Sequence, residues 1–110
     1  MKLDQFEGIL DAQLKRVRGV LVGKRAEYAK DSDVLANFKK SAHLRGVGIP
    51  QAITGMMAKH TTSVYDMVES GKPYSLELWD EKITDHINYL ILLRAALIDN
   101  TNPDQEQFSC

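Results

Sequence analysis

Glycine and proline in this chain fall almost entirely at punctuation points. Gly46 and Gly48 precede Pro50, Gly71 precedes Pro73, and Pro103 sits in a polar terminal stretch. Between these breaks apolar residues recur at steps of three and four, the period of an amphipathic helix. No segment alternates in the strand manner between turn signals. The pattern predicts four helices, over about Leu3–Lys30, Asp33–Arg45, Pro50–Ser70 and from just after Ser75 to about Asp99. Asp31 or Ser32 is the expected cap of the second, and Gly46 and Gly71 are the expected stops of the second and third. Short connections favour antiparallel neighbours, so the expected fold is all-α, a compact antiparallel four-helix domain over residues 1–99. Residues 100–110 read as a polar C-terminal tail.

Projecting each helix at about 100° per residue separates core positions from anomalies. The first helix carries Phe6, Leu10, Leu14, Val17, Leu21 and Tyr28 on one stripe, and Lys24, Glu27 and Asp31 continue it in charged residues. In the second, Val34, Leu35, Phe38 and Ala42 form the apolar face, with Asn37 beside it. The third presents Ile53, Met56, Met57, Val64 and Met67, with His60 in the middle of that face and Ser63 at its edge. The fourth has an apolar stripe of Trp79, Ile83, Ile87, Leu90, Ile91, Leu97 and Ile98. Glu81, Asp85 and Asn88 form a narrow polar stripe at steps of four and three, and its continuation is apolar, so the stripe is expected to turn inward or toward a partner subunit. Burying several carboxylates requires cations, metal or ligand beside them. Carboxylates projecting inward from facing helices are a common way for a bundle to hold a divalent ion, and all-oxygen ligands suit Mg²⁺.

Composition narrows the partners. Fourteen basic residues against 15 acidic ones leave a net charge of −1, which argues against a generic nucleic-acid binder. The basic residues of KRVRGVLVGKR spread around their helix in the manner of a solvated face. No apolar run approaches the roughly 20 residues of a membrane span, and Asp4 and Glu7 interrupt any leader-like N-terminus. The one cysteine, Cys110, allows neither an internal disulfide nor a cysteine-based metal knuckle, which suits a reduced, cytoplasmic setting. A chain of 110 residues buries one core with little surplus stability, so a homo-oligomer is expected.

Three segments carry a resemblance: KRAEYAKDSDVLANFKKSA, GMMAKHTTSVYDMV and WDEKITDHINYLILLRAAL. An EY pair followed by NFK, a KH pair followed by S and D, and EK-x-x-D-x-x-NY-L-x-LL resemble a family of short phage and prophage proteins, the nucleotide-modification-associated domain. The resemblance spans Lys24 to Leu97. More distantly, the arrangement is similar to the all-α nucleoside triphosphate pyrophosphohydrolases of MazG and dUTPase type. Those place E-x-x-E on one helix and E-x-x-D on another around Mg²⁺. Here Glu27 and Asp31, and Glu81 and Asp85, stand one residue further apart, still on one helical face each.

The resemblance implies a nucleotide-handling protein of phage type, with a nucleotide or nucleotide-derived small molecule as partner. As a Mg²⁺-dependent phosphohydrolase, it would hold the metal with Glu27, Asp31, Glu81 and Asp85, and the metal would activate a water. Lys24 and Lys59 would contact phosphate, His60 would act as general base, and Ser63, Asn37 and Asn88 would read polar edges. Tyr28 or Tyr89 would stack on the base. Two other readings stay open: a binder that sequesters a nucleotide without turning it over, and a structural helical module whose inner polar residues form an interface.

Overall fold

The computed structural model describes residues 1–23 and 33–99. The fold is all-α, built from α1 (Leu3–Leu21), α2 (Ala36–Arg45), α3 (Ile49–Ser70) and α4 (Leu76–Asp99). The chain divides into two units, Met1–Ser32 and Asp33–Cys110. Among the described residues no helix is long and apolar enough to cross a membrane.

α1 is shorter than its periodicity predicts. Its stripe runs on toward Lys30 in sequence, yet the helix ends at Leu21. The Val22 and Gly23 N–H groups both donate to the Arg18 carbonyl, at 2.9 and 3.3 Å. Gly23 takes φ +34°, and a Cβ there would collide with the Gly19 carbonyl oxygen, so glycine is required at this stop. Only Val17 of α1 is buried. Phe6, Ile9, Leu10 and Leu14, the body of the stripe, are all more than two-fifths exposed.

The second unit is built on well-defined helix ends. Asp33, expected inside the second helix, forms a turn in front of it. Its Oδ1 accepts from the Leu35 N–H at 2.9 Å and its carbonyl accepts from Ala36 at 3.1 Å, which delays α2 to Ala36. The expected caps Asp31 and Ser32 lie outside the described residues. Gly46, in the left-handed region at φ 65°, closes α2, and Pro50 occupies the first turn of α3. α4 starts at a capped and stapled end. Ser75 Oγ accepts from the Leu78 N–H at 3.1 Å, while the Tyr74 and Trp79 rings on either side of that cap meet edge-on at 5.9 Å.

Leu35, Ile53 and Ala96 form the core of this unit, with Phe38, Ile49, Tyr89, Leu92 and Leu93 packed around them. Ile53 meets the end of α4 through this core, while Thr61 contacts His86 and His60 contacts Tyr89. Numbers that rise along α3 pair with numbers that fall along α4, so the two helices run antiparallel. The face that α4 buries is not the expected one. Thr84, Asn88 and Ala96 are its buried residues, on a line of four-residue steps that includes Leu92. Ile83, Leu90, Ile91 and Ile98 of the expected stripe are exposed. The displacement has a steric cause: Ala96 is small enough for Ile53 of α3 to approach, whereas a ridge of isoleucines would hold it away.

Candidate functional site

Two of the residues that the sequence singles out, His60 on α3 and Tyr89 on α4, meet on the seam between these helices. Thr61 and His86 anchor it. Thr61 Oγ1 and His86 Nε2 lie 2.8 Å apart, a hydrogen bond whose direction follows the imidazole tautomer. One turn along, the His60 ring lies against the Tyr89 ring at a centroid distance of 4.8 Å and a tilt of 36°. Phe38 of α2 meets Tyr89 edge-on at 6.2 Å. Tyr89 is thus held by aromatic contacts from both other helices of the unit, and its freedom to rotate is small.

Asn88 stands between His86 and Tyr89 in the chain, and its neighbours fix its helix against α3. The residue is 6% exposed. Its Oδ1 is fully buried and has no hydrogen-bond partner among the described residues. An amide oxygen in that state is costly by about 1–3 kcal/mol, because the water it gave up is not replaced. A leucine would fit the same helical line without that penalty. The asparagine is therefore not explained by packing.

The stripe Glu81–Asp85–Asn88 does turn inward. Glu81 is exposed, Asp85 half-buried and Asn88 buried. On α3, Ser63 and His60 are half-buried and Lys59 is exposed; Asn37 of α2 is exposed. Lys24, Glu27, Tyr28 and Asp31 lie outside the described residues. Glu81 and Asp85 belong to no cluster of three metal-ligating side chains among the described residues. The helical projection of the sequence singles out none of His86, Thr61 and Thr84. The missed signal was spacing: Thr84 and Asn88 are four apart and share a face with Ala96, so the polar pair marks the small-residue contact line.

A separate charged group closes the other end of the unit. Lys39 Nζ lies 2.6 Å from Asp33 Oδ2 and 3.4 Å from Asp99 Oδ2, linking the start of α2 to the end of α4. The Lys39 hydrogen bond, with help from the Leu35 N–H, holds the Asp33 carboxyl below its ordinary range, and Asp33 in turn raises the Lys39 ammonium. A cleft of ≈ 360 Å³ between α2 and α4 lies beside this group, lined by Asp33, Val34, Leu35, Ala95, Ile98 and Asp99.

Comparison with protein-family models, with curated proteins and with solved structures found no match for the chain.

Proposed function

We propose that this chain is a nucleotide-handling module that binds a nucleotide or nucleotide-derived small molecule at the α3–α4 seam. The observation that carries the reading is Asn88, a buried carboxamide whose oxygen has no donor among the described residues. A carboxamide offers one acceptor and two donors in a plane, a pattern suited to the edge of a nucleobase. His60, half-buried against Tyr89, supplies a second hydrogen-bonding group on the same seam. Tyr89 has a positioning role here, since His60 lies against its ring. Lys59, one residue before His60 and exposed, is the cation for a phosphate. The resemblance to phage nucleotide-modification-associated domains supports the same class of ligand.

Binding is the part of the reading that the described residues support. Hydrolysis requires Glu27 and Asp31 to join Glu81 and Asp85 around Mg²⁺, which would lower the pKa of an attacking water. The two versions separate in one experiment. Thermal denaturation is followed with a panel of nucleotides, with and without Mg²⁺, and the nucleotide is recovered after denaturing the protein. A rise in melting temperature with intact ligand recovered supports binding. Recovery of product that depends on Glu81 and Asp85 supports the hydrolase. No shift with any nucleotide overturns both. The Asn88→Leu variant is expected to melt higher than the parent and to lose the ligand-induced shift.

A further inference from the structure

The first helix presents an apolar stripe to solvent from Leu3 to Leu14, and beyond it Val17 is buried and Leu21 half-buried. Phe6 is 52% exposed, Leu10 44% and Leu14 56%. Leu3, Ile9 and Val20 extend the stripe and are also exposed. So long a contiguous apolar face on a helix marks an interaction surface.

The charges on α1 say what kind of surface fits it. Acidic residues Asp4, Glu7 and Asp11 occupy its N-terminal half, and Lys15, Arg16 and Arg18 its C-terminal half. The helix dipole accounts for Asp4 in the first turn and Arg18 in the last. It does not account for Glu7, Asp11 and Lys15, which lie beyond the reach of either end. Within one helix Asp4 with Glu7, Glu7 with Asp11, and Lys15 with Arg18 repel at spacings of three or four, against one attractive pair, Asp11 with Lys15. The arrangement becomes favourable when a helix of opposite polarity lies alongside.

We propose that α1 pairs with α1 of a second copy of this chain, antiparallel and across a two-fold axis. At about 100° per residue Glu7, Asp11 and Arg18 fall along a single edge of the apolar stripe, with Lys15 beside them. In an antiparallel pair like edges meet, so the acidic half of one edge faces the basic half of its copy. Glu7 and Arg18 also stand nearly symmetrically about the helix midpoint, Glu7 four residues after Leu3 and Arg18 three before Leu21. Placing each opposite the other therefore overlaps the two helices completely, and the same register brings Asp11 near Lys15. A parallel pair would bring unlike edges together and leave Glu7 and Asp11 facing the Ile9 and Val20 edge, with no ion pair to Arg18. A membrane surface would favour basic residues along both flanks, and here one flank is half acidic.

The test is the oligomeric state of the full chain by sedimentation equilibrium. The parent is expected to dimerise. Glu7→Lys and Arg18→Glu, made singly, are each expected to weaken the dimer about tenfold, through two lost ion pairs and two new repulsions. The double variant E7K/R18E is expected to recover the parent's affinity. A second measurement fixes the orientation. In a Cys110→Ser background, Leu3→Cys chains mixed with Val20→Cys chains are expected to cross-link to each other. A parent that is monomeric throughout, single variants with parental affinity, a double variant no tighter than the singles, or cross-linking between two Leu3→Cys chains would each overturn the proposal.

Discussion

The first helix and the fourth carry the same kind of apolar period and use it in opposite ways. α1 has its stripe in solvent, with Phe6 and Leu14 more than half exposed. α4 leaves Ile83, Leu90 and Ile91 outside and buries a line that contains Thr84 and Asn88. A stripe thus states that a helix has a face to cover, without stating what covers it. In α4, closeness of approach decided the matter, because small residues admit α3 where the isoleucine ridge does not. In α1, Phe6, Leu10 and Leu14 stay exposed among the described residues, and the charge pattern points to a second copy. The two proposals follow the same division: the proposed ligand site rests on a buried polar residue, and the proposed self-association on exposed apolar ones.

The sharpest way to test that division is to truncate one side chain of each kind. Ile53 is fully buried in the core of α2–α4. Ile53→Ala is expected to destabilise that unit by about 2–5 kcal/mol, since transfer energy and a residual cavity add. Leu10→Ala, on the exposed stripe, is expected to change unfolding of the isolated chain by no more than about 0.5 kcal/mol while weakening self-association. Urea denaturation at low protein concentration, beside sedimentation, measures both. A large unfolding cost for Leu10→Ala would mean that α1 is covered within the chain.

Next in size is the seam itself. Asn88→Leu removes an amide oxygen that has no partner among the described residues and is expected to stabilise by about 1–3 kcal/mol. Calorimetry with and without nucleotide checks it. If the variant is instead destabilised, Asn88 serves packing or a bond made outside the described residues, and the binding reading loses its central observation. Thr61→Val, by removing the hydroxyl that meets His86 at 2.8 Å, gives a smaller loss of about 1 kcal/mol and tests whether the seam's anchor matters for stability alone.

Much of the helical layout was legible because its signals are local. Pro50, Gly71 and Ser75 act on the backbone beside them, and α3 and α4 begin and end within a residue of where those residues place them. Two boundaries were not legible. Asp33 can cap or turn with equal ease, and only the bond to Leu35 decides it. Gly23 reads as one tolerated glycine in a long period, and its positive φ depends on the bonds back to Arg18. The site was legible in part. His60 stood out as a polar residue on an apolar face, and Asn88 as the end of a polar stripe expected to turn inward or toward a partner; His60 meets Tyr89 on the seam and Asn88 is buried. His86 did not stand out, because its role depends on Thr61 across the interface and on the rotation of α4, which an amphipathic pattern sets wrongly when the buried line is made of small residues. Ser75→Ala provides a local control at this boundary: loss of the cap is expected to cost about 1 kcal/mol, read as a lower urea midpoint with no change in association.

The smallest expected effect belongs to the charges that join α2 to α4. Asp33 has a lowered carboxyl pKa, so its contribution is present above the unfolded value of 3.8 and is lost as pH falls through the folded value. Lys39 is raised, so its contribution is present below the unfolded value of 10.5 and is lost as pH rises through the folded one. Both side chains are over two-fifths exposed, so solvent and salt screen the pair heavily. Asp33→Asn keeps the turn to Leu35 and removes the charge. Its urea midpoint is expected to fall slightly below the parent's at neutral pH, to converge on the parent's in acid, and to converge again in about 1 M salt. A difference that survives both acid and salt would show that Asp33 acts through the turn geometry and not through its charge. The connection between α2 and α4 would then rest chiefly on the Leu35–Ala96 core and the Phe38–Tyr89 contact.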